Sequence, residues 1–280
     1  MSRQIIFESD SENENDEHKE VQEGKTWTIT FSECVENHAG MQMIGDMSRR
    51  GFSIDEMENF ASVAREKGYT TEMIDIENNL PEDYRDDTEA TILVIRDGIK
   101  MFMDDEYQSF IDEVKSSVDI VDKKAWMRGR VVNKLARYNL CYGDVSQDPD
   151  YEVKKGTVVA FRDVPLLSKM RTKLGEMFCD KSKNLLAELN YYYDNKKCGI
   201  GFHGDSERRL VVGLRIGSRM NLQYQWFVQS KPVGERLNIM LNEGDLYVMS
   251  EKAVGTDWKK RKIPTLRHAA GCDKFTKIKE

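Results

Sequence analysis

The chain has 280 residues, 39% of them hydrophobic and 32% charged, which is typical of one large globular domain or of one domain with a small companion. No apolar run approaches the roughly 20 residues of a membrane span, and the N-terminus lacks the charged lead and apolar segment of a secretory signal. Five cysteines without a CxxC pair argue against a disulfide framework and a structural zinc site. We therefore predict reduced thiols in an intracellular protein, cytoplasmic or nuclear, with no membrane partner.

Most of the net charge of −7 lies at the N-terminus. Residues 1–24 carry eight acidic and two basic side chains, a net charge of −6, which leaves about −1 on the rest of the chain. This segment is poor in apolar residues and has no periodicity, so we predict a disordered acidic tail over 1–24. Because the remainder is nearly neutral, the acidic balance does not exclude a nucleic-acid partner.

The sequence pattern over residues 25–105 predicts a small α/β unit. The alternation over 26–31 indicates a strand, and the capping-box pattern at 53–56 begins a helix. Asp97-Gly98 between two β-rich runs predicts a two-residue hairpin turn. This unit shows no chemical constellation, so packing or partner contact is its expected role, and His38 is interpreted as a structural or capping residue.

The pattern from residue 106 to about 140 is helical, and a strand over 156–161 follows a polar loop. Pro165 begins an amphipathic helix, since proline suits the first helical turn. From residue 185 onward the pattern predicts only strands, and about eight short strands at regular spacing favour a sandwich or barrel. The predicted strands are 186–193, 198–205, 209–216, 222–229, 235–241, 244–250, 263–270 and 274–279.

One short motif in this strand region contains candidate metal ligands. His203-Gly204-Asp205 ends a predicted strand, and alternate side chains of a strand point to the same face. An imidazole and a carboxylate therefore lie side by side, as two ligands of a 2-His-1-carboxylate non-haem Fe(II) site would. Taken alone, the motif also fits a surface turn with two unrelated polar residues.

The chain contains only four histidines, which narrows the choice of a third ligand. His18 lies in the acidic tail and His38 in a different compositional block. His268 lies in a strand-like segment, after the run of strands needed to bring it back to His203. His268 is therefore the candidate for the distal ligand.

A jelly roll, or double-stranded β-helix, is the strand arrangement that brings these three ligands together at one end of the barrel. We therefore predict an α+β chain with a jelly-roll domain and flanking helices over 106–280. The small α/β unit over 25–105 and the acidic tail over 1–24 precede it.

The stretch from about residue 138 to the C-terminus resembles the AlkB-like Fe(II)/2-oxoglutarate dioxygenases. Four segments match family patterns in the family's order. They are 137–144 (R-x-x-x-x-Y-G-D), 190–205 (N-x-Y followed by H-x-D), 244–250 (G-D-L-x-x-M) and the tryptophan at 257–258. Residues 1–105 lie outside the resemblance.

The resemblance implies a cofactor and a cosubstrate. Fe(II) would be held by His203, Asp205 and His268. The cosubstrate 2-oxoglutarate would be contacted by Asn190 and Tyr192, which alternate on one strand face.

The chain departs from the family at two places. His268 comes ten residues after Trp258, where the family has its histidine within two or three residues. The family's terminal R-x-N-x-T-x-R is absent. The wider oxygenase superfamily has a basic residue about ten positions after the distal histidine, and Lys277 fits that position. A lysine would neutralise the cosubstrate carboxylate without the bidentate fork of an arginine.

The resemblance also implies a substrate, a nucleobase in DNA or RNA that is oxidatively demethylated or hydroxylated, as in DNA repair. Tyr142 and Asp144 lie in the segment that is close to the substrate base in the family, and they are expected to bind it. The alternatives are an oxygenase of a protein side chain or small molecule, or a non-catalytic jelly-roll binding module. A basic stretch near the distal ligand is either a phosphate contact or a solvated loop. Its members are Lys252, Lys259, Lys260, Arg261, Lys262 and Arg267.

Overall fold

A computed structural model describes residues 24–85 and 88–278. The predicted acidic tail, apart from Gly24, lies outside the described residues. The strands are β1 Thr26–Ser32, β2 Cys34–Glu36, β3 Met43–Gly45, β4 Thr71–Asp75, β5 Thr91–Ile95, β6 Lys124–Met127, β7 Arg130–Asn133, β8 Tyr138–Gly143, β9 Val158–Ala160, β10 Leu186–Tyr192, β11 Gly199–His203, β12 Val211–Gly217, β13 Met220–Val228, β14 Lys231–Leu241, β15 Leu246–Met249 and β16 Thr265–Gly271. The helices are α1 Ile54–Glu66, α2 Gly98–Met103, α3 Tyr107–Ser116, α4 Pro165–Met177, α5 Glu251–Val254 and α6 Asp273–Thr276.

A large sheet forms the centre of this mixed α/β fold. Its strand order is β4-β5-β15-β12-β1-β10-β8-β9, and all neighbours are antiparallel except β8 and β9. The N-terminal strand β1 lies in the middle, paired with β10 on one side and β12 on the other. The segment 25–105 therefore contributes β1, β4 and β5 to the same sheet as the later strands, and the boundary predicted at residue 105 does not divide it.

The central strand β1 shows how alternation divides the two faces of this sheet. All seven of its residues are buried, so both faces are covered. Trp27, Ile29 and Phe31 pack into a core with apolar side chains of helices α1 to α4. Thr28 and Thr30 point to the opposite face, where they line a cavity.

A smaller antiparallel sheet, ordered β11-β16-β13-β14, packs against that opposite face. Tyr224, Trp226 and Leu266 from the small sheet share one apolar cluster with Val211 and Met249 of the large sheet. This second core holds the two sheets together along one part of their interface. A smaller apolar cluster joins Tyr192 of the large sheet to Met220 and Ala270 of the small sheet, and a cavity lined by many polar residues also lies between the sheets.

Several local predictions are confirmed. Helix α1 has the predicted capping box, because the Glu56 amide donates to Ser53 Oγ at 3.2 Å and the Ser53 amide donates to Glu56 Oε2 at 2.9 Å. Helix α4 begins at Pro165, and the strands β1 and β9 to β16 overlap the predicted ones.

Other local predictions are wrong. The Asp97-Gly98 turn leads into α2 and not into a second strand, because Ile99, Phe102 and Met103 are buried in the helix-side core. A side chain at Gly98 would lie 2.6 Å from Leu246 Cβ, so glycine serves a close approach there. The region 106–140 is α-helical only to Ser116, continues as one 3₁₀ turn over Ser117–Asp119, and then forms the β6–β7 hairpin and β8. The segment after residue 272 forms α6 and not a strand.

Among the described residues, no helix combines the length and the apolar character that a bilayer crossing requires.

Candidate active site

Two neighbouring strands of the small sheet carry the histidines of the predicted metal site. β11 and β16 pair antiparallel, and His203 and His268 are direct Cα partners in that register. Their ring centroids lie 4.5 Å apart. Residues 65 positions apart in the sequence are therefore brought together by strand pairing.

Asp205 completes the cluster from the turn after β11. Its Oδ1 lies 3.4 Å from His203 Nε2 and 3.7 Å from His268 Nε2. One ligand atom from each of the three residues lies within 4.8 Å of the others. Nitrogen and oxygen ligands bind first-row divalent metals at about 2.1 Å, so small side-chain rotations would bring all three onto one ion.

The protonation of these groups suits metal binding. His203 Nδ1 lies 2.8 Å from the Gly201 carbonyl. In the neutral tautomer that carries its proton on Nδ1, this nitrogen donates to the carbonyl and Nε2 has a free lone pair for a metal. Burial and the neighbouring His203 lower the pKa of His268 to about 4, which keeps its imidazole neutral. Burial opposes ionisation of Asp205, but the facing His203 and His268 rings and the guanidinium of Arg208 hold its pKa below the usual range. The cluster thus offers two imidazole nitrogens and a carboxylate oxygen as ligand atoms.

A buried ion-pair network supports the carboxylate ligand. Arg208 is 5% exposed, and its Nη2 donates to Glu188 Oε2 at 2.6 Å and to Glu207 Oε1 at 3.0 Å. Its Nε lies 3.8 Å from Asp205 Oδ2. Such neighbours hold a ligating carboxylate in one orientation.

Close packing explains why a glycine, Gly204, lies between His203 and Asp205. A side chain at Gly204 would lie 2.1 Å from the Gly255 carbonyl oxygen, because the turn after α5 packs directly on the His203–Asp205 segment. The Asp205 amide donates to the Val254 carbonyl at 3.0 Å in the same contact. Contacts with the turn after α5 therefore fix the backbone at Gly204 and at Asp205.

A cavity of about 850 Å³ lies beside the cluster, with walls from both sheets. The predicted cosubstrate contacts Asn190 and Tyr192 line it, together with His203, Asp205 and His268. The Asn190 amide is already engaged there. Its Oδ1 accepts from Arg137 Nε at 2.5 Å and from Asn139 Nδ2 at 2.8 Å, which positions Arg137 at the cavity wall.

Arg215 is a cavity residue that the sequence reasoning missed. It is 1% exposed, and its Nε and Nη1 are buried without a hydrogen-bond partner among the described residues. Burial lowers the pKa of its guanidinium, an effect that nearby Tyr247 and Tyr192 oppose. A buried guanidinium with unused donors is costly unless an anion pairs with it. The only signal in the sequence is a charged residue inside the otherwise apolar strand β12.

Lys277 does not occupy the position expected of the cosubstrate anchor. It is exposed after α6 and is not among the residues that line the cavity. The physical reason is the short helix α6, which replaces the predicted last strand and leaves this lysine on the surface.

Tyr142 and Asp144, the predicted substrate contacts, also lie elsewhere. Alternation in β8 turns Tyr142 into the core beneath the helices, where it is 2% exposed. Asp144 is a surface residue that pairs with Arg171 at 2.7 Å. Neither lines the cavity, whereas Arg137, from the same matched segment, does.

The outer wall of the cavity includes the β2–β3 hairpin and the turn that joins its strands. Glu36, His38 and Met43 line the cavity there, as does Met47 just after β3, and burial raises the pKa of Glu36 to about 7. His38, which we expected to be structural, thus faces the cavity. Because this hairpin is separated in the sequence from every matched motif, no local signal predicted its position.

A comparison with known protein families finds no match to the chain. Among curated proteins, the uncharacterized protein R156 of Acanthamoeba polyphaga mimivirus is 51% identical over 255 residues, which span 90% of this chain and 98% of the viral protein.

Proposed function

We propose that this chain, which belongs to the same family as the mimivirus protein R156, is an Fe(II)- and 2-oxoglutarate-dependent dioxygenase that oxidises a nucleobase in DNA or RNA. The observation that carries the proposal is the convergence of His203, Asp205 and His268 at the wall of a cavity. Two imidazoles and one carboxylate leave open positions on an iron ion, as this class of oxygenase needs.

The two facing sheets support a jelly-roll interpretation. The cluster lies on strand β11, the turn that follows it, and β16, all at the small sheet. The cavity beside it is bounded by β1, β10, β12 and β15 of the large sheet. A jelly roll of this kind, as in the AlkB-like enzymes that the chain resembles, would hold its metal between two sheets.

The cluster fits iron by its donor set. When bound, Fe(II) would activate O2 at the expense of the 2-oxo acid. The overall reaction converts 2-oxoglutarate, O2 and an N-methyl group to succinate, CO2 and an N-hydroxymethyl group, which releases formaldehyde. The part of His203, Asp205 and His268 is to hold the metal, and Arg208 holds the carboxylate ligand in place.

Arg215 is the residue that we assign to the distal carboxylate of 2-oxoglutarate. It lines the same cavity as the metal cluster, and its unused donors match a carboxylate. Tyr192 and Tyr247 line the cavity too and supply hydroxyl groups for the same end of the molecule. Binding of a dianion would remove the penalty of an unpaired buried cation.

The apolar part of the cavity lining favours a flat aromatic substrate. Phe202, Trp258, Met43 and Met47 belong to this lining. Aromatic faces stack on any base, and methionine adapts to irregular apolar shapes. A base in a duplex would have to be flipped out to reach the cluster, so single strands are the simpler substrate.

The test is succinate formation from 2-oxoglutarate with Fe(II), in the presence and absence of methylated oligonucleotides. We expect turnover that increases with oligonucleotide and is lost in Asp205→Ala. Succinate without any dependence on oligonucleotide would assign the enzyme to a protein or small-molecule substrate. No succinate under any condition would leave a non-catalytic binding module.

A further inference from the structure

A basic loop follows the cavity residue Trp258. Lys259, Lys260, Arg261 and Lys262 are consecutive and exposed. Within the described part of the chain, no carboxylate lies within ion-pair distance of any of the four. The acidic neighbours are already engaged, since Asp257 pairs with Lys252 at 2.8 Å. Four adjacent cations without a carboxylate partner are a concentrated positive patch on a chain whose net charge is −7.

An arginine and two aromatic rings connect this loop to the small sheet. The Arg267 guanidinium lies 4.0 Å from the ring centroid of Phe227 and 5.2 Å from that of Trp258. Its buried Nε has no hydrogen-bond partner among the described residues. The indole Nε1 of Trp258 donates to Ser206 Oγ at 3.0 Å, which fixes the ring at the cavity wall.

A second cation–aromatic pair extends the same surface. Arg236 is exposed and lies 5.1 Å from the ring centroid of Phe202, which in turn lies 6.2 Å from that of Phe227. Phe202, Trp258 and Lys259 all line the cavity. The charged and aromatic groups therefore form one continuous surface that ends at the cavity mouth.

We propose that this surface, formed by residues 259–262 with Phe202, Arg236, Trp258 and Arg267, binds one unpaired strand of nucleic acid. The loop contacts the phosphates, and Trp258 and Phe202 offer faces for unpaired bases beside the cavity. A duplex hides its base faces, so it would use the charges alone. Strand binding does not depend on catalysis, and only its role of delivering a base to the metal cluster rests on the proposed function.

The experiment measures binding of fluorescein-labelled, unmethylated oligonucleotides to the full chain without metal, by fluorescence anisotropy over a range of salt concentrations. Single-stranded DNA, single-stranded RNA and duplex DNA are compared. We expect either single strand to bind more tightly than the duplex. In the triple variant Lys260→Ala, Arg261→Ala, Lys262→Ala, loss of three phosphate contacts should make the log–log salt slope less steep by about 2 and weaken binding by roughly 10- to 100-fold.

A matched control removes three other exposed cations, in Lys124→Ala, Arg128→Ala, Arg130→Ala, on or beside the β6–β7 hairpin. This variant should bind like the wild type. Trp258→Ala should weaken binding without changing the salt slope, and Trp258→Phe should restore much of the affinity, because stacking carries no ionic charge.

Three results would overturn the proposal. They are absence of oligonucleotide binding by the wild type, equal losses in the two triple variants, or displacement of the oligonucleotide by poly-glutamate at equal charge concentration. Because the protein is metal-free and the oligonucleotides unmethylated, failure here is separate from failure of the dioxygenase proposal, which succinate formation tests.

Discussion

Replacing Arg215 with methionine should stabilise the ligand-free protein and remove the additional stabilisation that the ligand gives. The side chain is 1% exposed and has two unpartnered nitrogens, so it destabilises the ligand-free fold. An unsatisfied buried polar group costs about 1–3 kcal/mol, and replacing a buried charge by an apolar side chain of similar size gains about 1–4 kcal/mol. Arg215→Met should therefore raise the free energy of unfolding by a figure in that range.

The same substitution should abolish stabilisation by 2-oxoglutarate. A ligand at 100 times its Kd stabilises a protein by about 2.7 kcal/mol. The wild type should gain this amount when 2-oxoglutarate is added with Mn(II) in place of Fe(II), and Arg215→Met should gain almost none. Urea unfolding followed by circular dichroism measures both effects.

Lys277→Met is the matched control, because it removes the cation that the sequence indicated. It should keep the full stabilisation by 2-oxoglutarate, since the Lys277 side chain is exposed outside the cavity. If Lys277→Met loses the ligand effect and Arg215→Met keeps it, the assignment of Arg215 is refuted.

Three further predictions concern the metal cluster, the ligand turn and a buried lysine. His268→Ala should weaken Mn(II) binding in calorimetry by roughly 100-fold or more, whereas His38→Ala, which also removes a cavity imidazole, should not. Gly204→Ala should lower the free energy of unfolding in urea by about 1–3 kcal/mol through its clash with Gly255, and Gly201→Ala, whose new Cβ would be no nearer than 3.4 Å to its surroundings, should cost less. Burial lowers the pKa of Lys134 from 10.5 to about 8, so the unfolded chain binds more protons between those values and the stability should rise with pH there, by up to about 3 kcal/mol. The difference between wild type and Lys134→Met in unfolding experiments over this pH range isolates that contribution, and a difference that stays constant with pH would contradict it.

Local patterns predicted those elements whose cause is local. The capping box at Ser53, the proline at the start of α4 and the alternation of β1 each depend on residues within one turn or one strand. The hairpin predicted at Asp97-Gly98 is wrong because the structure there depends on residues that are distant in the sequence. The β-rich segment after the turn forms helix α2, because burial of Phe102 and Met103 against distant strands overrides local propensity.

The sequence by itself predicted which residues form the cluster, because the chain has only four histidines and one His-x-Asp motif. It also determined which side chains of each strand share a face. Only the tertiary structure decided which face meets the cavity: Tyr142 packs beneath the helices, whereas Arg215 lines the cavity. It also brought the β2–β3 hairpin to the cavity mouth. Such positions depend on pairing between strands far apart in the chain, and side-chain alternation alone does not say which of its two faces will be the inner one.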